Sequence, residues 1–323
     1  MRILAFCVFS LFTSIIFSQT CCSGGVPLSN NLGLANEGKG SFSIGVSYDY
    51  NNLNTLNFET EKLDDDSRKR VTNSVLFNVG YAFTDQLSIE GLFSWVNQTR
   101  TISQFGNENF TETMGLGDAV FLLKYVMPNI LGSATLLSIG AGAKAPFGES
   151  DETTAQGIQL TADLQPGSGA WDGIGWLSFS KGVNFRPSAT ISSSATYRFT
   201  GVNNSYLGSS SYEFGDALQI NLGYTDQLLV AGTIVNPGLV FKYRKAFDDK
   251  IDDIVLPNTG GQWVFVRPEV SVQISPEISI NTRFEIPIHS NVVGTQLTPT
   301  SRLTAGVFIK LNKRKNNIIN STL

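Results

Sequence analysis

Between Ser41 and Tyr50 polar and apolar residues alternate without a break. Phe42, Ile44, Val46, Tyr48 and Tyr50 share one face; Ser41, Ser43, Gly45, Ser47 and Asp49 share the other. A period of two is the signature of an extended strand with unlike faces. The pattern returns at 71–83, 87–100, 117–125, 135–147, 172–182, 186–199, 212–224, 228–245, 262–274, 278–289 and 300–312. The chain therefore predicts about twelve strands. In 228–238 two phases overlap, and a bulge at Asn236-Pro237-Gly238 would reconcile them.

The connections alternate in length. Short ones hold Thr84-Asp85-Gln86, Met127-Pro128-Asn129, Gly182-Val183, Thr225-Asp226-Gln227 and Ser275-Pro276-Glu277. Long polar ones are expected at 55–70, 101–114, 148–171, 200–211, 246–260 and 290–299. Short turns on one side and long loops on the other are the layout of an outer-membrane barrel. An even strand number puts both barrel ends on the short-turn, periplasmic side. A soluble barrel would point its apolar face inward. Here the polar face carries charges at mid-strand, which a soluble core would not bury unpaired. Aromatic residues also gather at strand ends, among them Tyr48, Tyr81, Phe83, Trp95, Tyr125, Tyr197, Phe199 and Tyr224. The expected fold is all-β, a transmembrane antiparallel up-and-down barrel over 41–312.

Composition sharpens this picture. Only 15% of the residues are charged, while 41% are hydrophobic. Beyond the first twenty or so positions no apolar run reaches the length of about 20 residues that a helical span needs. In hydrocarbon every backbone donor and acceptor needs a partner within the protein, so a closed barrel is the solution left. The net charge of −4 gives no nucleic-acid footprint. One His and three Cys make a metal centre or a Cys/His nucleophile unexpected, and no cofactor is implied. The partners implied are outer-membrane lipid and a small solute, in a Gram-negative outer membrane.

One hairpin tests register. Folding at Ser275-Pro276-Glu277 sets Val272 against Ile280, Val270 against Thr282 and Val266 against Ile286 on the apolar face. On the polar face it sets Glu269 against Arg283 and Arg267 against Glu285. Both charge pairs are complementary, which a wrong register would not give. Lys144, Arg267, Glu269, Arg283 and Glu285 are therefore the expected mid-height constriction and ion pairs. Glu90, Arg100, Asp118, Lys124, Arg186, Arg198, Lys242, Arg244 and Arg302 share the lumen parity, as do Glu213, His289 and Lys310. Such charges serve either as ion pairs that stiffen a narrow barrel or as a filter for solutes. A lipid-hydrolysing site would need His289 beside a Ser on the outer face. Its parity puts it inside, so no enzyme is expected.

Residues 1–18 combine Arg2, an apolar run and Ser18, the features of a secretory signal peptide. Cys21 and Cys22 follow, as free thiols, a disulfide or a lipid attachment point. The Gly/Ser/Asn-rich segment 19–40 either hangs in the periplasm or folds into the lumen as a plug. The tail 313–323 opens with the basic run Lys313-Arg314-Lys315.

Three short segments carry a resemblance. Gly115-Leu116-Gly117-Asp118 opens a strand, Lys144-Ala145-Pro146-Phe147-Gly148 closes one, and LQPGSGAWD at 164–172 leads into the next. In these the chain resembles the outer-membrane barrel family of the meta-pathway of phenol degradation, a group of transporter-like proteins. The likeness extends over 115–312. It implies a membrane barrel and uptake of aromatic or other small organic compounds. The expected function is thus a passive outer-membrane channel, with a closed-lumen structural or surface-interaction barrel as the alternative.

Overall fold

The computed structural model describes residues 38–311. Within them twelve antiparallel strands close into one barrel. They are β1 (Phe42–Phe58), β2 (Arg68–Ala82), β3 (Leu87–Gln104), β4 (Asn107–Leu116 continued by Ala119–Pro128), β5 (Thr135–Ala145) and β6 (Asp172–Val183). The circuit goes on through β7 (Arg186–Phe199), β8 (Ala217–Asp226), β9 (Thr233–Ala246), β10 (Gly261–Gln273), β11 (Ile278–Val292) and β12 (Thr295–Leu311). Each strand pairs with its neighbours in sequence. The seam is the ladder of β1 on β12, from Phe42 opposite Leu311 to Phe58 opposite Thr295. The expected signal peptide at 1–18, Cys21, Cys22, most of the 19–40 segment and the tail 313–323 lie outside the described residues.

The polarity is inside-out. Phe77 is 45% exposed and Asn78 beside it is 0% exposed. Alternation of this kind runs round the wall: Val46, Leu123, Ile139, Leu222 and Phe284 face outward, and Glu90, Lys124, Lys242 and Glu285 are buried within. An apolar outer surface needs hydrocarbon around it, and full closure satisfies the backbone there. Aromatic pairs mark both ends of the wall. Tyr81 meets Phe83 at the short-turn end, and Tyr197 meets Phe199 near the long loops.

Several expectations from the sequence are corrected. Residues 101–114 and 290–299 are not long loops. The strands climb on and reverse at Phe105-Gly106 and Val293-Gly294. Positive φ at both Phe105 and Gly106 is the geometry of a tight hairpin turn. Polarity on both faces there reflects water above the membrane, not loss of pairing. Residues 228–238 need no bulge. Leu228–Val230 runs back along 233–235 around Ala231-Gly232, and β9 then pairs with β10 in unbroken register. The stretch 212–224 is two elements, because Asp216 turns aside to accept from Thr200 N–H and Tyr197 O–H. Glu213 consequently leaves the lumen. It stands in a small outer sheet of Val202–Tyr206, Ser210–Glu213, Lys250–Ile251 and Ile254–Val255, where Lys250 reaches it at 3.1 Å. His289 also leaves the lumen. An extra residue, Ile288, interrupts the β10–β11 ladder between the Val264–His289 and Phe265–Pro287 pairs, which flips the imidazole to the exposed face.

Candidate functional site

The three segments singled out in the sequence meet at one place. A bulge at Gly117-Asp118 interrupts β4 and turns the Asp118 carboxylate inward, 0% exposed. Next to it, at the end of β5, stands Lys144. Its ammonium lies 2.7 Å from Asp118 and 3.2 Å from Asp172 at the start of β6, and it also donates to Ser168 Oγ and to the Ala170 carbonyl. Asp118 in turn accepts from Gly148 N–H, Ser168 N–H and Ser168 O–H. The loop joining β5 to β6 is thereby stapled at both of its ends. A Cβ on Gly148 would lie 2.6 Å from Gly167 Cα, so the two backbones touch as only glycines allow. Residues between them form a closed hoop that folds into the barrel, the general form of an Ω-loop.

The tip of that hoop is a single 3-10 turn, Ala162–Leu164, wholly buried. Arg70 on β2 holds it. Its guanidinium donates to the Asp163 carboxylate at 3.0 Å, to the Asp163 carbonyl and to Gln98 Oε1. Gln98 donates to the carbonyls of Leu164 and Gln165, and Thr113 O–H to that of Leu164. Arg100 donates to Thr161 Oγ1 at 3.4 Å. On the barrel-wall side the tip is held by polar contacts; its apolar contacts come from the loops above it.

A cap of outer loops covers the tip. Tyr206, Tyr212 and Phe214 cluster on Ala162, with Ile251 and Leu256 packed against them. Tyr212 O–H donates to Asp249 at 2.7 Å, and Gly215 N–H to the other carboxylate oxygen at 2.8 Å. Burial pushes Asp249 above the usual carboxylate range, partly offset by those two donors. Burial likewise raises the Tyr212 phenol. Tyr212→Phe removes one donor from a buried acid, a loss of about 1–3 kcal/mol. Hydrogen exchange at the Gly215 amide is then expected to quicken about tenfold or more; unchanged protection would mean the cap is held by its aromatics alone.

The other charges on the lumen parity fall into clusters. Lys124 lies 2.9 Å from Glu90 and over the Trp176 ring. Glu285 accepts from Lys242, which also lies over Phe265 at 4.2 Å. Glu269 lies 3.3 Å from Arg267 and 3.7 Å from Arg283. The β10–β11 register runs through Glu269 opposite Arg283 and Val272 opposite Ile280. Arg302 donates to Asp49 at 2.8 Å, Arg198 approaches Asp172 at 3.8 Å, and Arg244 lies over Trp263. Arg186 belongs to none of these clusters. It stands half-exposed at the short-turn rim, beyond a register shift, bonded to Asp226.

Sequence reasoning missed Arg70, Gln98 and Asp163. Arg70 fell in a segment expected to be loop, and nothing local marks Asp163 as inward-facing. It also missed an apolar patch inside the barrel, Leu76, Leu92, Val120, Leu122 and Ile174 with Trp176 against it. Their even parity was the available signal, since they share it with Asn78, Glu90 and Lys124.

No family model matches the chain, and no curated protein matches it in sequence. Among solved structures it is similar to an outer-membrane channel from Pseudomonas putida F1, with a TM-score of 0.63 at 16% identity. That match covers 88% of this chain and 100% of the other. The β-domain of the Bordetella autotransporter BrkA gives a TM-score of 0.43 at 12% identity, covering 85% of this chain and 100% of that one. The NanC porin gives 0.44 at 8% identity, covering 84% and 100%. At these identities the first match bears on fold: the chain is an outer-membrane β-barrel.

Proposed function

We propose that the protein is an outer-membrane channel for passive entry of small organic solutes, shut in this conformation by the hoop between Gly148 and Gly167. The observation that carries this reading is how the hoop is held. Its tip is fixed inside the barrel by side-chain hydrogen bonds and one ion pair, contacts that exchange with water or solute. The route lies along Lys144, Arg267, Glu269, Arg283 and Glu285, which act as the constriction once the hoop withdraws. Across from β9–β11, the partly exposed ring of Trp176, backed by the patch of Leu76, Leu92, Val120, Leu122 and Ile174, gives an aromatic or other apolar solute something to touch. This favours the uptake role that the three sequence segments imply.

The ends of the hoop are already in contact, so residues 149–166 can be removed by joining Gly148 to Gly167 without stretching the wall. In planar bilayers the shortened protein is expected to conduct in steps several-fold larger than the full chain. Absence of current from both would overturn the channel reading. It would favour instead a structural barrel with a closed lumen, for which the complete burial of Leu76, Leu92, Val120 and Leu122 is the supporting observation.

A further inference from the structure

Arg70 and Arg100 stand directly opposite each other on β2 and β3. Like charges in that position destabilise a sheet unless an anion lies between them. Asp163 supplies one negative charge, brought in on the hoop tip. It is bonded to Arg70, and its field also reaches Arg100. Two guanidiniums thus face one carboxylate in a buried place. Their donor capacity is not exhausted either: Nε of Arg70 and Nε of Arg100 are buried with no acceptor. Gln98, between the two on the same wall, adds an amide already turned toward the tip. The wall is built to hold a planar carboxylate, for which paired guanidinium edges are the best match among side chains.

We propose that the Arg70–Arg100 pair is a carboxylate-binding site of the lumen, occupied in the closed barrel by Asp163 and taken over by the carboxylate of a small organic anion as the hoop withdraws. The inference deepens the channel reading by naming a substrate class and a trigger. Withdrawal with nothing entering would leave two arginines facing each other without an anion, which holds the barrel shut. Exchange of one carboxylate for another keeps the charges matched. Asp163 is then a tethered competitor of the solute.

Benzoate is the probe, with uncharged benzamide as its control at equal ionic strength. The full chain in detergent is treated with chymotrypsin, which cuts after Leu164 only when that residue, 1% exposed in the closed form, comes out. Benzoate is expected to speed this cleavage about tenfold or more, and benzamide not at all. Asp163→Asn should be cut rapidly without any ligand. Arg100→Gln should lose the benzoate response, and this variant decides the matter if Asp163→Asn fails to fold. Cleavage that ignores benzoate, or a response that survives Arg100→Gln, overturns the site. Bilayer current separates the two proposals. Benzoate-dependent cleavage in a barrel that never conducts retires the channel and keeps the site; current that ignores benzoate, with cleavage that does too, does the reverse.

Discussion

Lys144→Met is expected to destabilise the barrel by about 3–5 kcal/mol, the cost of leaving buried charges without their partner. Asp118 and Asp172 are 0% and 5% exposed, and both lie within ion-pair distance of the Lys144 ammonium. Methionine keeps most of the volume, so packing is little changed and the loss is electrostatic. The same change cuts the tether to Ser168 and the Ala170 carbonyl, so one end of the hoop loosens as well. Denaturant unfolding in detergent, followed by the mobility difference between folded and unfolded barrel on a gel, reads the first effect. The outward, exposed Lys181 is the control, and Lys181→Met should stay within about 0.5 kcal/mol. Equal loss in the two variants would show that the Lys144 cluster is as well solvated as the rim.

The second large effect is on the opposite face. Phe77→Arg should cost about 2–4 kcal/mol when the protein is folded into lipid vesicles, as a charge near the bilayer midplane does. Phe77 projects outward between Val46 on β1 and Phe93 on β3, both apolar and partly or fully lipid-facing. Phe105 is more exposed still, but at the tip of a hairpin in water. Phe105→Arg should therefore be nearly neutral. A similar cost at both positions would mean that the outer face of β2 does not meet hydrocarbon.

The contrast between Phe77 and Phe105 also explains what could be read from sequence. Strands show through a bilayer because one face must be apolar and the other need not be. That is why 71–83 and 87–100 were legible to within a few residues, while the first strand, read only as far as Tyr50, runs on to Phe58 through residues expected to be loop. Above the membrane the constraint vanishes. β3 and β4 continue as paired strands through Asn97, Thr99 and Thr113, yet both faces are polar and the stretch reads as loop. Parity fails wherever one residue is inserted, and Ile288 costs the inward assignment of His289 in that way. Tertiary reach fails more completely. Asp163 and Arg70 are far apart in sequence, and no period links a loop carboxylate to the strand that receives it. The segments around Asp118, Lys144 and Pro166 stood out through their glycines and prolines, but their convergence on one staple was visible only in three dimensions.

The back-to-back meeting of Gly148 and Gly167 has a bearing on how the molecule can change. The chain between those two residues leaves and rejoins the wall at a single point, so it is connected as a cassette, with its tip bonded separately to Arg70, Gln98 and Thr113. Its length and chemistry can be exchanged without stretching the staves that carry it, provided a carboxylate still reaches Arg70 and Arg100. Variants grafted at this junction would re-tune the doorway while inheriting an intact wall.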